Sequence, residues 1–252
     1  KSEMLIIDTH LHAGVNWFSP IETLLHEMNM NDVSHAILAQ AGGSYDSTYL
    51  FECDKRFPGR FKIAVVVDPQ DPRPETTLEK LKNQGAAGVR LRPDSRYKTQ
   101  NPHAMWKTAG ELGLIVSVRT AEGASEQLAT TFKRILDACP NTHMQLEHLA
   151  GVGYSKPPYD AYKAALECAK WPNTSIKVPG LGEIIERPVV LPTGYPFTQF
   201  PPLFEMALEA FGPQRMVWGS DYPAGSREGY RNSLEGVRNY PAFQKAGVVD
   251  SI

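Results

Sequence analysis

The sequence predicts an α/β chain closed into a barrel of eight parallel strands, (β/α)8, and three observations carry that prediction. Eight short runs rich in β-branched residues alternate with longer amphipathic stretches along the 252 residues. Runs such as Phe61-Lys62-Ile63-Ala64-Val65-Val66-Val67 are apolar at nearly every position, as expected of strands covered by helices on both faces, where a half-solvated sheet would alternate. Ionisable residues gather at the C-terminal ends of these runs, the face on which barrel enzymes carry their chemistry. A chain this long can bury one full core, so residues 1–252 are expected to form a single domain. An open doubly wound sheet is the alternative, but no Gly-x-Gly-x-x-Gly turn follows the first strand to give it a dinucleotide site.

Taken in order, the strands are expected at Leu5 to His12, Ala36 to Gln40, Phe61 to Asp68, Ala87 to Arg92, Leu114 to Arg119, His143 to Glu147, Thr174 to Val178 and Met216 to Trp218. The helices between them carry punctuation. Ser19-Pro20-Ile21-Glu22 offers an N-cap, a first-turn proline and the reciprocal glutamate of a capping box. Gly85 and Gly113 follow the helices Glu75 to Gln84 and His103 to Leu112, where a left-handed cap falls. Leu181 to Pro202 is long for a connection and rich in Pro, Gly and aromatics; it reads as a substrate wall or lid, or else as a surface excursion.

Composition excludes several partners. The formal net charge is −2 with the basic residues dispersed, so neither nucleic acid nor an anionic membrane is implied. The apolar run Ile63 to Val67 is far short of the roughly 20 residues of a membrane helix. No secretory leader is expected at the start. Three cysteines, Cys53, Cys139 and Cys168, form no Cys-x-x-Cys pair and fit reduced thiols in a cytoplasmic protein. The expected partner is a small molecule, and a homo-oligomer is compatible with the composition.

The candidate site begins at His10-Leu11-His12. Residues i and i+2 share a strand face, so the two imidazoles converge at the end of the first strand as metal ligands or as a hydrogen-bonding clamp. The other strand ends supply Gln40, Asp68, Arg90, Arg92, Arg119, Glu147, His148, Lys177 and, just past the eighth strand, Asp221. Arg90 and Arg92 share a face and each offers a fork that matches a carboxylate, either the substrate's or that of Asp68 or Glu147. Strand parity raises a conflict: Gln145 and Glu147 lie opposite Met144, Leu146 and His148, so an inward His148 would turn Glu147 toward the helices. His26, His35, His103 and His143 lie away from the strand ends and are assigned no chemistry.

The strings Ile7-Asp8-Thr9-His10-Leu11-His12, Glu147-His148-Leu149-Ala150-Gly151 and Trp218-Gly219-Ser220-Asp221-Tyr222-Pro223 resemble the first-, sixth- and eighth-strand motifs of the amidohydrolase superfamily. Within it the chain is similar to the small TIM-barrel hydrolases related to 2-pyrone-4,6-dicarboxylate lactonase. The resemblance implies a site at the strand C-termini, reaction at a carbonyl or carboxyl carbon, and Asp221 as general base. Most metal-using members carry a further histidine at the end of strand five, where this chain has Arg119. A guanidinium has no lone pair to donate and repels a cation. Two routes follow. In one, His10, His12 and Asp221 hold a divalent ion, zinc above all, that activates water. In the other no metal is required: Asp221 deprotonates free water while His10, His12 and His148 hydrogen-bond the developing oxyanion, and Arg92, Arg119 and Arg90 grip a substrate carboxylate. The expected activity is hydrolysis of a small carboxylated lactone. The alternatives are a metal-dependent decarboxylase on the same rim and a non-catalytic binding protein.

Overall fold

The computed structural model describes residues 4–120 and 125–252. Its strands are β1 Ile7–Leu11, β2 His35–Ala39, β3 Phe61–Val65, β4 Gly88–Leu91, β5 Ile115–Val118, β6 Met144–Leu146, β7 Thr174–Val178 and β8 Met216–Trp218. All neighbours pair in parallel and in chain order, which makes the (β/α)8 barrel. The seam between β8 and β1 closes just above the strands. Asp221 N donates to His10 O at 2.7 Å and His12 N to Tyr222 O at 2.8 Å. The close approach needs a glycine, because a Cβ on Gly219 would stand 2.9 Å from that of His10.

Most strands are shorter than their apolar runs suggest, and β3 shows the reason. Val66 and Val67 stay buried, but Val66 N donates to the side-chain Oε1 of Gln40 at 3.0 Å instead of continuing the ladder. Rim side chains thus take over backbone donors where the strands splay.

The capping box is not formed. Pro20 itself occupies the cap of the helix Ile21–Met30 without a side-chain bond. The free N–H of Ile21 instead donates to Tyr49 Oη at 3.0 Å, and Glu22 is drawn away to Arg56. A partner remote in sequence satisfies the orphan donor that local pattern assigns to Ser19. The expected caps at the other ends hold: Gly85 is left-handed with φ 117° after the helix Pro74–Gln84, and Gly113 has φ 68° after Ala104–Glu111.

At the centre of the barrel the apolar packing gives way to a polar layer. Arg90, Ser117, Glu147 and Lys177 are all buried there. Buried charges are tolerated only when paired or hydrogen-bonded: Arg90 pairs with Glu147, and Lys177 hydrogen-bonds Ser117 and Thr9 O. Cys53, Cys139 and Cys168 are buried free thiols. Among the described residues no helix is long and apolar enough to cross a membrane.

Candidate active site

The mouth of the barrel brings together the two histidines of β1, Asp221 after β8 and His148 after β6. His12 Nε2 lies 2.9 Å and His10 Nε2 3.5 Å from Asp221 Oδ1. His148 Nδ1 is 3.8 Å from Asp221 Oδ2. The ring centres of His12 and His148 each stand 5.0 Å from that of His10. Asp221 adopts a left-handed φ of 52°, so the turn after β8 aims its carboxylate back over the barrel. A side chain on Gly225 would collide with that carboxylate and with Glu183.

Each imidazole is held differently. His12 Nδ1 donates to Ala39 O at 2.6 Å; a carbonyl only accepts, so Nδ1 carries the proton and Nε2 faces the site. Phe18 stacks on the same ring at 4.7 Å. His10 Nδ1 meets Lys177 Nζ at 3.1 Å, while its Nε2 is buried without a hydrogen-bond partner among the described residues. His148 Nδ1 donates to Glu183 Oε2 at 2.9 Å and its Nε2 lies 3.5 Å from Glu147 Oε2.

The parity conflict between Glu147 and His148, left open by the sequence, resolves at this point. His148, Leu149 and Ala150 have left-handed φ values of 49°, 49° and 58°, so the chain leaves the strand pattern after β6. Glu147 therefore turns into the barrel, and His148 reaches the same cavity from above.

Burial raises the Asp221 carboxyl, but the His148 and His12 imidazoles and Arg90 outweigh it and hold the group below its ordinary range. Burial opposes the His148 imidazolium, yet the Glu183 and Asp221 carboxylates hold its pKa well above the usual histidine value. Burial, with Lys177 adding to it, pushes His10 well below that value. Lys177 is pushed down to about 8, mainly by burial. The resting site thus pairs a carboxylate base with a charged His148 and an uncharged His10.

The three arginines part company. Arg90 is engaged by the protein: Nε and Nη2 donate to the two oxygens of Glu147 at 2.8 Å each, and Nη1 donates to Gln40 O at 2.5 Å. Of the two kinds of partner expected for its fork, a substrate carboxylate or that of Asp68 or Glu147, the structure gives it Glu147. Arg92 forms a forked pair with Asp94, 2.9 Å on each side. Arg119 packs over Gly42, where a Cβ would run into the guanidinium. Burial, then Arg90, lowers its pKa, and no carboxylate among the described residues pairs with it. On the other side, a cleft of about 200 Å³ is lined by Thr120, His148, Tyr154, Glu183, Asp221 and Arg227. The segment Leu181 to Pro202 contributes Glu183 to that wall, and its Pro188, Pro192 and Phe197 line a neighbouring groove.

Sequence reading gave no role to Lys177, Ser117, Glu183 or Arg227. Lys177 and Ser117 had a signal, a polar side chain between two buried apolar neighbours in a strand, Val116-Ser117-Val118 and Ile176-Lys177-Val178. Glu183 and Arg227 had none, because both sit on loops whose path depends on the whole fold.

Among the described residues three sets of side chains have spacings that could hold a metal ion: His10, His12 and Asp221; His10, Glu147 and His148; and His148, Glu183 and Asp221. In the first set, His12 Nε2 and the Asp221 carboxylate offer lone pairs. His10 does so only if its proton sits on Nδ1, against Lys177.

The family model for amidohydrolases matches residues 7–245, and the chain belongs to that family of barrel enzymes. Among solved structures it resembles a probable 2-pyrone-4,6-dicarboxylic acid hydrolase of Acinetobacter baumannii with citric acid bound, at 19% identity and TM-score 0.69, over 94% of this chain and 92% of that one. An amidohydrolase of Burkholderia multivorans with bound zinc matches at 17% identity and TM-score 0.65, over 87% and 84%. A 5-carboxyvanillate decarboxylase of Sphingomonas paucimobilis matches at 12% identity and TM-score 0.65, over 99% and 96%. At these identities the likeness is one of fold. No curated protein matches the sequence.

Proposed function

We propose that the protein hydrolyses a small carboxylated lactone, with Asp221 as general base. The observation that carries the reading is the placing of that carboxylate, kept ionised beside three histidines, opposite the Arg119 guanidinium, which pairs with no carboxylate among the described residues. Water attacks the lactone carbonyl as Asp221 takes its proton, and the carbonyl electrons move onto oxygen. His10 Nε2–H is the donor best placed for that oxygen, in a dry site where such a bond is worth most. Collapse breaks the ring C–O bond and the leaving oxygen takes up the proton. His148, engaged by Glu183 and Glu147, stabilises the base rather than the oxyanion. Arg119, with Arg92 beside it, holds the substrate carboxylate.

A divalent ion would supply Lewis acidity if bound, but His10, whose Nδ1 meets the Lys177 ammonium at 3.1 Å, fits poorly as a ligand, and Arg119 adds a cation where the resemblance puts the ligand histidine of most metal-using members. The steps above run through the chain's own groups. The same two facts weigh against a metal-dependent decarboxylase. Both readings are separated by assaying carboxylated lactones and aromatic acids with and without chelator. Ring opening that survives chelation supports the proposal; decarboxylation, or hydrolysis abolished by chelation and restored by zinc, overturns it.

A further inference from the structure

We propose that Lys177 fixes the His10 proton on Nε2, making that imidazole an obligatory donor into the site and barring it from metal ligation. The direction of the hydrogen bonds carries the argument. Glu147, whose two oxygens take Arg90 Nε and Nη2 at 2.8 Å each, only accepts. Ser117 Oγ, 2.7 Å from Glu147 Oε1, must therefore donate its single proton there. It follows that Ser117 Oγ accepts from Lys177 Nζ, 2.8 Å away. Thr9 O, at 3.3 Å, is a carbonyl and also accepts from Nζ. The ammonium has three hydrogens, and its remaining neighbour is His10 Nδ1 at 3.1 Å. That nitrogen accepts, so the ring proton of neutral His10 stands on Nε2, the buried atom left without a partner 3.5 Å from Asp221 Oδ1.

The two histidines of β1 are thereby made unlike. Ala39 O puts the His12 proton on Nδ1, and Lys177 puts the His10 proton on Nε2. Lys177 is a positioning residue: it acts through His10 and reaches the mouth only by that ring.

The test is the histidine tautomer in the resting protein, read by long-range 1H–15N correlation on 15N-histidine-labelled wild type, with His10 assigned from His10→Gln. The expected result is His10 protonated on Nε2 and bare on Nδ1. The opposite tautomer overturns the proposal without any variant, so a Lys177 substitution that fails to fold leaves it decidable. In folded Lys177→Met, His10 should populate the Nδ1–H form and affinity for Zn2+ alone, by calorimetry, should rise at least about tenfold. An unchanged tautomer and zinc affinity overturn the assignment. The kinetic arm rests on the lactonase reading: kcat of Lys177→Met should fall about 10²- to 10³-fold with KM little altered, as for a lost oxyanion donor. Absence of lactonase activity in wild type would defeat that reading alone, since the tautomer is measured without substrate.

Discussion

On the β1–β8 side of the mouth, His10, His12 and Asp221 are buried and crowd within 2.9–3.5 Å of one carboxylate oxygen. On the β4–β5 side, Arg92 and Arg119 are partly exposed, one paired locally with Asp94 and the other with no carboxylate among the described residues. The first side is over-determined. Every imidazole has a second nitrogen tied to Ala39, Lys177 or Glu183, which is how a reacting group is kept in one tautomer and one pose. The second side holds charge with freedom to move. That division suits proton transfer on one side, where a misplacement of about 1 Å is costly, and recognition of an anion on the other, where Coulomb attraction falls off slowly.

The hardest break falls on the ordered side. Asp221→Asn preserves shape and removes the proton acceptor, so kcat should fall about 10²- to 10⁴-fold in a lactone assay; turnover near wild type would show that the base lies elsewhere. The same side sets the pH profile. Asp221, held below its ordinary value of 3.8, loses activity only as pH falls through that lowered value. His148, held well above 6.5, keeps its proton through neutrality and loses it above. A rate profile flat across neutral pH is expected, with an acid limb below the usual carboxylate range.

Beneath both sides lies the buried Arg90–Glu147 pair. Glu147→Gln leaves a guanidinium with no counter-charge in the barrel centre, which should cost about 3–5 kcal/mol in urea unfolding. Because the folded pKa of Glu147 is depressed, its contribution is present above its unfolded value and fades as pH falls toward the folded one. The stability difference between wild type and variant should therefore shrink in acid; a constant gap would refute the charged pair.

On the looser side the effects are smaller. Arg119→Ala should raise KM by the worth of a charge-assisted bond, about 1.5–3 kcal/mol, for substrates bearing the carboxylate. The corresponding methyl ester should be turned over equally by both proteins. Equal losses on acid and ester would mean that Arg119 supports the fold instead.

The ordered side was also the more legible in sequence. His10, His12, His148 and Asp221 could be read because strand parity and motif spacing are local, and a strand end fixes where its side chains point. Glu147 and His148 stayed in conflict because parity assumes a continuous strand, and three left-handed residues after β6 break it. Arg90 stood between a substrate carboxylate and Glu147, since spacing cannot tell which carboxylate a guanidinium will find. The cap supplied by Tyr49 lies 28 positions from its helix start, beyond any local pattern. Contacts between distant loops, such as Glu183 on His148, are properties of the closed barrel alone.

The finest probe of the comparison is Gly42→Ala. Gly42 lies on the loop after β2 and its backbone is not in the left-handed region, so alanine imposes no backbone strain there; the three atoms nearest its Cβ would all belong to the Arg119 guanidinium. The end of a flexible side chain must then shift while its charge stays. If Arg119 acts mainly as a point of positive charge, KM should rise only about threefold to tenfold, under ~1.4 kcal/mol and less than for Arg119→Ala. The value of kcat should hold, because nothing on the β1–β8 side has moved. A fall in kcat matching Asp221→Asn would mean that the two sides are one rigid unit, and the division between ordered chemistry and looser recognition would have to be given up.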